Sequence, residues 1–116
     1  MKTGEQNKDK VVLNDAKIQE LKKQWGKIFM TKIGDDVFVW RKLRRKEYVD
    51  LMVNTEKLDD DMDVKMFQRQ EEITKLCVLY PENIDEIIEE NCGIATVLSD
   101  EIILRSGFYI KTTEEL

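Results

Sequence analysis

The amino-acid sequence predicts a mainly α fold: a small helical bundle of about five helices with one β-hairpin at about residues 27–41. Apolar residues recur at helical spacing along most of the chain, with charged residues between them. Two runs rich in β-branched and aromatic residues flank Gly34-Asp35-Asp36, a turn composition that predicts the hairpin. Pro81 and Gly93 separate the later helical segments, since proline and glycine both interrupt helices.

The chain has 116 residues, which is enough for one modest core but short for two. We therefore expect a single helical domain, including the hairpin, at residues 11–108. Residues 1–10 are polar and have no helical or strand periodicity, so we expect a disordered tail there. Residues 109–116 are expected to form a C-terminal tail.

The predicted helices begin and end at capping residues and helix breakers. The first begins at Asn14 or Asp15, whose side chains can accept from free N–H groups, and ends at Gly26. The others are predicted over about residues 44–54, 64–79, 82–91 and 95–105. The acidic residues between 59 and 63 are expected to precede and cap the third helix. A Ca²⁺ loop is disfavoured there because it needs spaced ligands and a glycine turn.

The third predicted helix has two candidate apolar stripes. One stripe consists of Val64, Phe67, Gln70 or Glu71, Thr74 and Cys77, and the other of Met66, Ile73, Leu76 and Tyr80. A helix with two apolar sides is typically covered on both. We therefore expect this helix to be central to the bundle.

A basic cluster follows the second strand of the hairpin. It consists of Arg41, Lys42, Arg44, Arg45 and Lys46. At helical spacing these charges spread around the helix, which favours a solvated face or pairing with the acidic loop. A patch for a protein partner is the next interpretation. Nucleic-acid binding, with neighbouring aromatic rings stacking on bases, is disfavoured by the net charge of −5.

The sequence contains no arrangement of residues that predicts catalysis. Histidine is absent, which removes the commonest general base and transition-metal ligand. Cys77 and Cys92 are interpreted as reduced thiols that act as small core hydrophobes. We therefore expect a protein that is not an enzyme and has no cofactor or metal. No apolar run approaches the roughly 20 residues that a membrane-spanning helix needs.

Large flexible apolar side chains remain as the candidate functional feature. They fit an ordinary methionine-filled core, and they also fit a surface that binds adaptable apolar segments of a partner. The sequence leaves open whether Trp40 lies in the core or on the surface. The candidate partner-binding residues are Phe29, Phe38, Trp40, Arg41, Arg44, Arg45, Tyr48 and Met52.

Three segments together resemble small tail-assembly proteins of long-tailed bacteriophages. Residues 38–48 (FVWRKLRRKEY) resemble the opening of those proteins, in which a strand leads into an Arg, Leu and Glu-Tyr pattern. Residues 77–81 (CVLYP) resemble their break between helices. Residues 93–108, with Gly-Ile, Leu, Glu-Ile-Ile and Ser-Gly-Phe in order, resemble their closing helix. The resemblance covers about residues 36–108.

The group that the chain resembles is the tail assembly or baseplate-hub assembly chaperones. The resemblance implies a protein in the host cytoplasm that binds a tape-measure or baseplate-hub protein and keeps it soluble during virion assembly. An alternative is a structural subunit retained in the tail or baseplate, in which the edge of the hairpin pairs with a neighbouring chain. A second alternative is a small nucleic-acid-associated protein that uses the basic cluster. Homo-oligomerisation is left open.

Overall fold

The computed structural model describes residues 13–108 and 111–116. Within them, five helices and a three-stranded antiparallel sheet confirm the mainly α fold with a β-hairpin. In chain order the elements are α1 (Asp15–Trp25), β1 (Ile28–Ile33), β2 (Asp36–Arg41), α2 (Arg45–Glu56), α3 (Met62–Cys77), β3 (Val78–Tyr80), α4 (Ile84–Glu90) and α5 (Ile94–Arg105).

The hairpin of β1 and β2 agrees with the predicted range. Its last pair is Ile33 with Asp36, so the turn contains only Gly34 and Asp35. Gly34 has a φ of 62°, and no other residue type in the described chain has a positive φ. Glycine at the first central position is the arrangement of a type II′ turn, whose twist matches that of the strands.

The third strand differs from the prediction that α3 continues to residue 79. The helix ends at Cys77, and β3 pairs antiparallel with β2 through Val39 with Tyr80 and Trp40 with Val78. Proline disfavours helical geometry at the preceding residue, which favours an extended Tyr80 before Pro81. β2 is therefore the central strand, with β1 on one side and β3 on the other.

The core lies between the sheet and the C-terminal half of α3, with α4 and α5 closing it. The first turn of α5 meets the middle of α3, where the Thr74 hydroxyl donates to the Ala95 carbonyl (3.2 Å) and the Thr96 hydroxyl donates to Gln70 Oε1 (2.7 Å). The buried cluster comprises Phe38, Trp40, Leu43, Ile73, Cys77, Val78, Ile84, Ile88, Ile94, Ala95, Leu98 and Ile102. The first half of α3 precedes these contacts with α5.

The predicted N-terminal tail at residues 1–10 lies outside the described residues. In the predicted C-terminal tail, residues 111–116 are exposed and belong to no helix or strand. No helix among the described residues is both long and apolar enough to cross a bilayer.

Candidate functional site

Arg41, the last residue of β2, is the centre of a buried polar network. Its guanidinium donates to both carboxylate oxygens of Glu47, at 2.9 Å each, and to the backbone carbonyls of Lys42 (3.0 Å) and Leu76 (3.2 Å). The ring of Trp25 lies over the guanidinium, 4.7 Å from Cζ to the ring centroid. This network joins α1, β2, the start of α2 and the end of α3.

The electrostatics of this network fit a structural ion pair. The hydrogen bond from Arg41 lowers the pKa of the Glu47 carboxyl, and burial opposes this only in part. Burial has the largest single effect on the pKa of Arg41 and lowers it, but the hydrogen bond to Glu47 and the charge interactions with Cys77 and Glu47 together outweigh burial, so the pKa of Arg41 is raised. Burial raises the pKa of the nearby Cys77 thiol to about 12. Both members of the ion pair are thus held in their charged forms.

Phe38 and Trp40 are candidate partner-binding residues, and the sequence left open whether Trp40 lies in the core or on the surface. Phe38 is 0% exposed and Trp40 is 1% exposed, so neither ring can meet a partner while the domain is folded. Trp40 donates from Nε1 to Thr31 Oγ1 (2.8 Å), and its ring stacks on Phe29 at 4.7 Å. Phe38 and Trp40 are buried because β2 is the central strand and is covered on both faces. Arg41, at 5% exposed, is likewise withdrawn from the predicted surface.

The remaining predicted site residues lie on α2 and its N-terminus. Arg44 and Arg45 are exposed, while Tyr48 and Met52 are half-buried. Tyr48 packs against Phe108 with ring centroids 5.1 Å apart. Both arginines and these two rings border a cleft of about 250 Å³ between the start of α2 and the end of α5. The structure therefore divides the predicted site into a buried strand and a partly exposed helix.

The basic cluster does not pair with the acidic loop as one interpretation proposed. Arg41 pairs with Glu47, and Lys46 pairs with Asp50 at 3.0 Å on the solvent side of α2. Asp61 in the acidic loop instead caps α3, because its Oδ1 accepts from the Val64 N–H at 3.0 Å. The capping role predicted for this loop is thus confirmed.

A group of exposed apolar side chains lies on α2, α3 and the loop between them, a surface that the sequence did not indicate as a site. We call it the α2–α3 surface. It consists of Val49, Val53, Leu58, Met62, Val64, Met66 and Phe67, which are between 38% and 69% exposed. Single exposed apolar residues are ordinary, whereas several of them on two neighbouring helices make a candidate interaction site.

One side of α3 connects this surface to the core. Met62, Met66, Ile73 and Cys77 are spaced by four, seven and four residues, which places them within an arc of about 60° on the helix. We call these four residues the α3 stripe. Ile73 and Cys77 are 1% and 0% exposed, whereas Met66 and Met62 are 45% and 69% exposed. The α3 stripe is therefore closed by the core at one end and open at the other.

Basic side chains beside the open end are held by α2. Lys65 Nζ donates to the Glu56 carbonyl (3.3 Å) and lies 3.7 Å from Glu56 Oε2. Arg69 Nε donates to Thr55 Oγ1 at 2.6 Å. These contacts direct both positive charges toward α2 and away from solvent.

Acidic side chains near the open end face solvent. Asp59, Asp60 and Asp63 are exposed, and none of them forms an ion pair with a described residue. With the lysine and arginine engaged by α2, these carboxylates give the open end of the α3 stripe a negative border. The site is thus apolar in the middle and acidic at the edge.

Sequence reasoning missed the α2–α3 surface because it placed the third helix at the centre of the bundle. The structure covers only the second half of that helix. The spacing of Met62, Met66 and Ile73 was a usable signal for a continuous stripe, but the sequence gives no sign of where α5 begins to cover it.

Cys92 is also exposed, which corrects the expectation that both cysteines lie in the core.

No protein-family model matches the chain, and no curated protein matches it. The fold is similar to the solved structure of the uncharacterised protein rbstp2171 from Bacillus stearothermophilus, with a TM-score of 0.64 and 18% identity. The match covers 84% of this chain and 99% of that chain. At this identity the similarity supports the arrangement of helices and strands and carries no functional assignment.

Proposed function

We propose that this protein is a non-enzymatic binding protein that acts as a chaperone in phage tail assembly. It would bind an apolar segment of a tape-measure or baseplate-hub protein in the host cytoplasm and keep that protein soluble until assembly. The observation that carries the proposal is the α2–α3 surface, where seven apolar side chains are exposed on one helical hairpin. The resemblance of residues 36–108 to tail assembly chaperones supplies the identity of the client.

The rest of the fold supports a binding role for this surface. The core of the domain is complete without it, since Phe38, Trp40 and Ile73 are each 1% exposed or less. Residues that the core does not require are free to be polar, and exposed apolar residues lower solubility. A partner that covers them during assembly accounts for their apolar character.

The proposal is tested by quantitative mass spectrometry of one infection, comparing purified particles with proteins captured from lysate by the tagged chain. We expect the chain to be absent from particles and to capture a tape-measure or baseplate-hub protein. Phe67→Gln, at an exposed position of α3, should reduce that capture. Met30→Gln is the matched control, because Met30 is similarly exposed but lies on β1. Failure to capture either tail protein would contradict the proposal.

A structural subunit of the tail or baseplate is the second candidate, and the outer edge of β1 favours it. Within the described residues no strand pairs with that edge, so its backbone groups can accept a strand from a neighbouring chain. This candidate predicts a fixed copy number in purified particles. Thr31→Pro would remove a backbone N–H donor and distort β1. Lys32→Pro and Met30→Pro are therefore the variants to compare, and each should reduce incorporation of the chain into particles while its fold is retained.

A further inference from the structure

We infer that the open half of the α3 stripe binds a basic amphipathic helix of the partner, with its apolar side on Met62 and Met66 and its lysines or arginines toward Asp59, Asp60 and Asp63. The inference rests on the proposed function and specifies the chemistry of the segment that is bound. It predicts that the bound segment of the partner is a helix rather than a strand, and that basic rather than acidic residues flank its apolar side.

The geometry of α3 favours a helical partner. In the second half of α3, Ile73 and Cys77 belong to the same buried cluster as Leu98 and Ile102 of α5, and Gln70 and Thr74 bond to the first turn of α5, so this half of α3 already packs against a helix. α5 begins beside Gln70 and does not cover the turns before it. A partner helix would continue the packing that α5 begins, with its apolar residues spaced three and four apart.

The length of the open half sets the size of the contact. Met62 and Arg69 are seven positions apart on α3, or about 10 Å at 1.5 Å of rise per residue. A partner helix of about three turns would span it and reach the acidic border. A methionine pair suits such a partner, because unbranched side chains adapt to differently shaped apolar residues.

Charge complementarity favours a basic partner. Asp59, Asp60 and Asp63 are exposed without ion pairs to described residues, whereas Lys65 and Arg69 are bonded to residues of α2. Lysines or arginines flanking the apolar side of the partner would meet these carboxylates. Glutamates in the same places would meet like charge, which disfavours binding.

The test uses two labelled helical peptides of about 14 residues, with leucines at i, i+3, i+4 and i+7 and either lysines or glutamates flanking them. Binding to the full chain is measured by fluorescence anisotropy. We expect the lysine peptide to bind at least about tenfold more tightly than the glutamate peptide. The M62Q/M66Q variant should bind the lysine peptide at least about tenfold more weakly than the wild type does. Because the net charge is unchanged, this result would separate the effect of the α3 stripe from that of the overall negative charge of the chain.

Two further variants complete the test. M30Q changes an exposed methionine on β1 and should bind the lysine peptide as the wild type does. The D59N/D60N/D63N variant should lose the preference for lysine over glutamate while keeping the apolar contact. Circular dichroism and thermal unfolding should be the same for all variants, because every substituted side chain is exposed.

In the experiments on the purified chain, any of four results would overturn the inference: equal binding of both peptides, wild-type binding by M62Q/M66Q, no binding at millimolar peptide, or self-association of the chain that M62Q/M66Q abolishes. The last result would mean that a second copy covers the α3 stripe. Failure of the chaperone proposal can be distinguished from failure of this inference, because peptide binding that depends on Met62 and Met66 can occur without capture of any tail protein. Capture of a tail protein that M62Q/M66Q leaves unchanged would instead overturn only the helix site.

Discussion

Both carboxylate oxygens of Glu47 accept hydrogen bonds from the guanidinium of Arg41, each at 2.9 Å, across the junction between β2 and α2. Arg41 is 5% exposed, so it has lost most of its water, and Glu47 replaces that water with a paired charge. Glu47 also accepts from the Arg44 N–H at 2.9 Å, which caps α2. A single carboxylate thus supports both the strand end and the helix start.

Glu47→Gln is expected to lower the free energy of unfolding by about 2 kcal/mol at about pH 7, because it leaves a buried guanidinium without its counter-charge. The pKa of Glu47 is lower in the folded chain than in the unfolded chain, so its ionisation stabilises the folded state above about pH 4. That stability is lost as the pH falls through the folded pKa. Urea unfolding from about pH 7 to about pH 3 should show the difference between variant and wild type shrinking in acid.

The control for this prediction is Asp50→Asn, which breaks an exposed ion pair with Lys46 on the same helix. Its cost should stay below about 0.5 kcal/mol. A Glu47→Gln protein as stable as Asp50→Asn at neutral pH would show that the Arg41 network contributes little.

Thr31→Val is expected to destabilise the domain by about 1 to 2 kcal/mol, although the two side chains are similar in size. The variant removes the acceptor of the buried Trp40 Nε1–H, which is bonded to Thr31 Oγ1 at 2.8 Å. Thr31→Ser keeps the hydroxyl and should lie closer to the wild type. Equal stability of the valine and serine variants, measured by urea unfolding, would contradict the importance of this hydrogen bond.

Truncation should destabilise the domain strongly in the buried half of the α3 stripe and only slightly in the open half. Ile73→Ala removes a side chain that is 1% exposed and should cost about 2 to 5 kcal/mol. Met66 lies seven residues earlier on the same side of the helix, and its side chain is 45% exposed. Met66→Ala should therefore change the free energy of unfolding by less than about 0.5 kcal/mol. Thermal unfolding would show the contrast. A large loss for Met66→Ala would mean that Met66 belongs to the core.

The two thiols should differ in reactivity toward a disulfide reagent such as Ellman's reagent. Cys92 is exposed and should react in the native protein, whereas Cys77 is buried and its pKa is raised to about 12 by that burial. One equivalent of thiol should therefore react before unfolding and two after it. In Cys92→Ser the native signal should disappear. Rapid native modification of Cys77 would indicate local opening at the end of α3.

Local sequence signals were sufficient for the hairpin and for most helix ends, because each depends on a few neighbouring residues. Asn14 and Asp61 cap the helices that they precede, and Gly26 follows the last residue of α1. β3 could not be found in this way. Residues 78–80 extend the apolar pattern of α3, and only pairing with β2, which is distant in sequence, makes them a strand.

The candidate site was harder to predict, because exposure is decided by contacts between distant elements. An Arg at the end of a strand is normally solvated, and the contacts of Arg41 with Trp25, Glu47 and the Leu76 carbonyl come from other elements of the fold. Conversely, the apolar spacing of α3 indicates burial along its whole length. The position of α5 decides which part is buried, and helical spacing within α3 contains no information about that position.

The α3 stripe has a consequence for how this protein can vary by insertion or deletion. The open and buried halves lie on one uninterrupted helix, so their angular phase is fixed by the number of residues between Met66 and Ile73. One inserted residue would rotate Met62 and Met66 by about 100° about the helix axis relative to the core, while seven inserted residues would shift them by only about 20°. Length changes in this part of the chain should therefore be tolerated in steps of whole heptads.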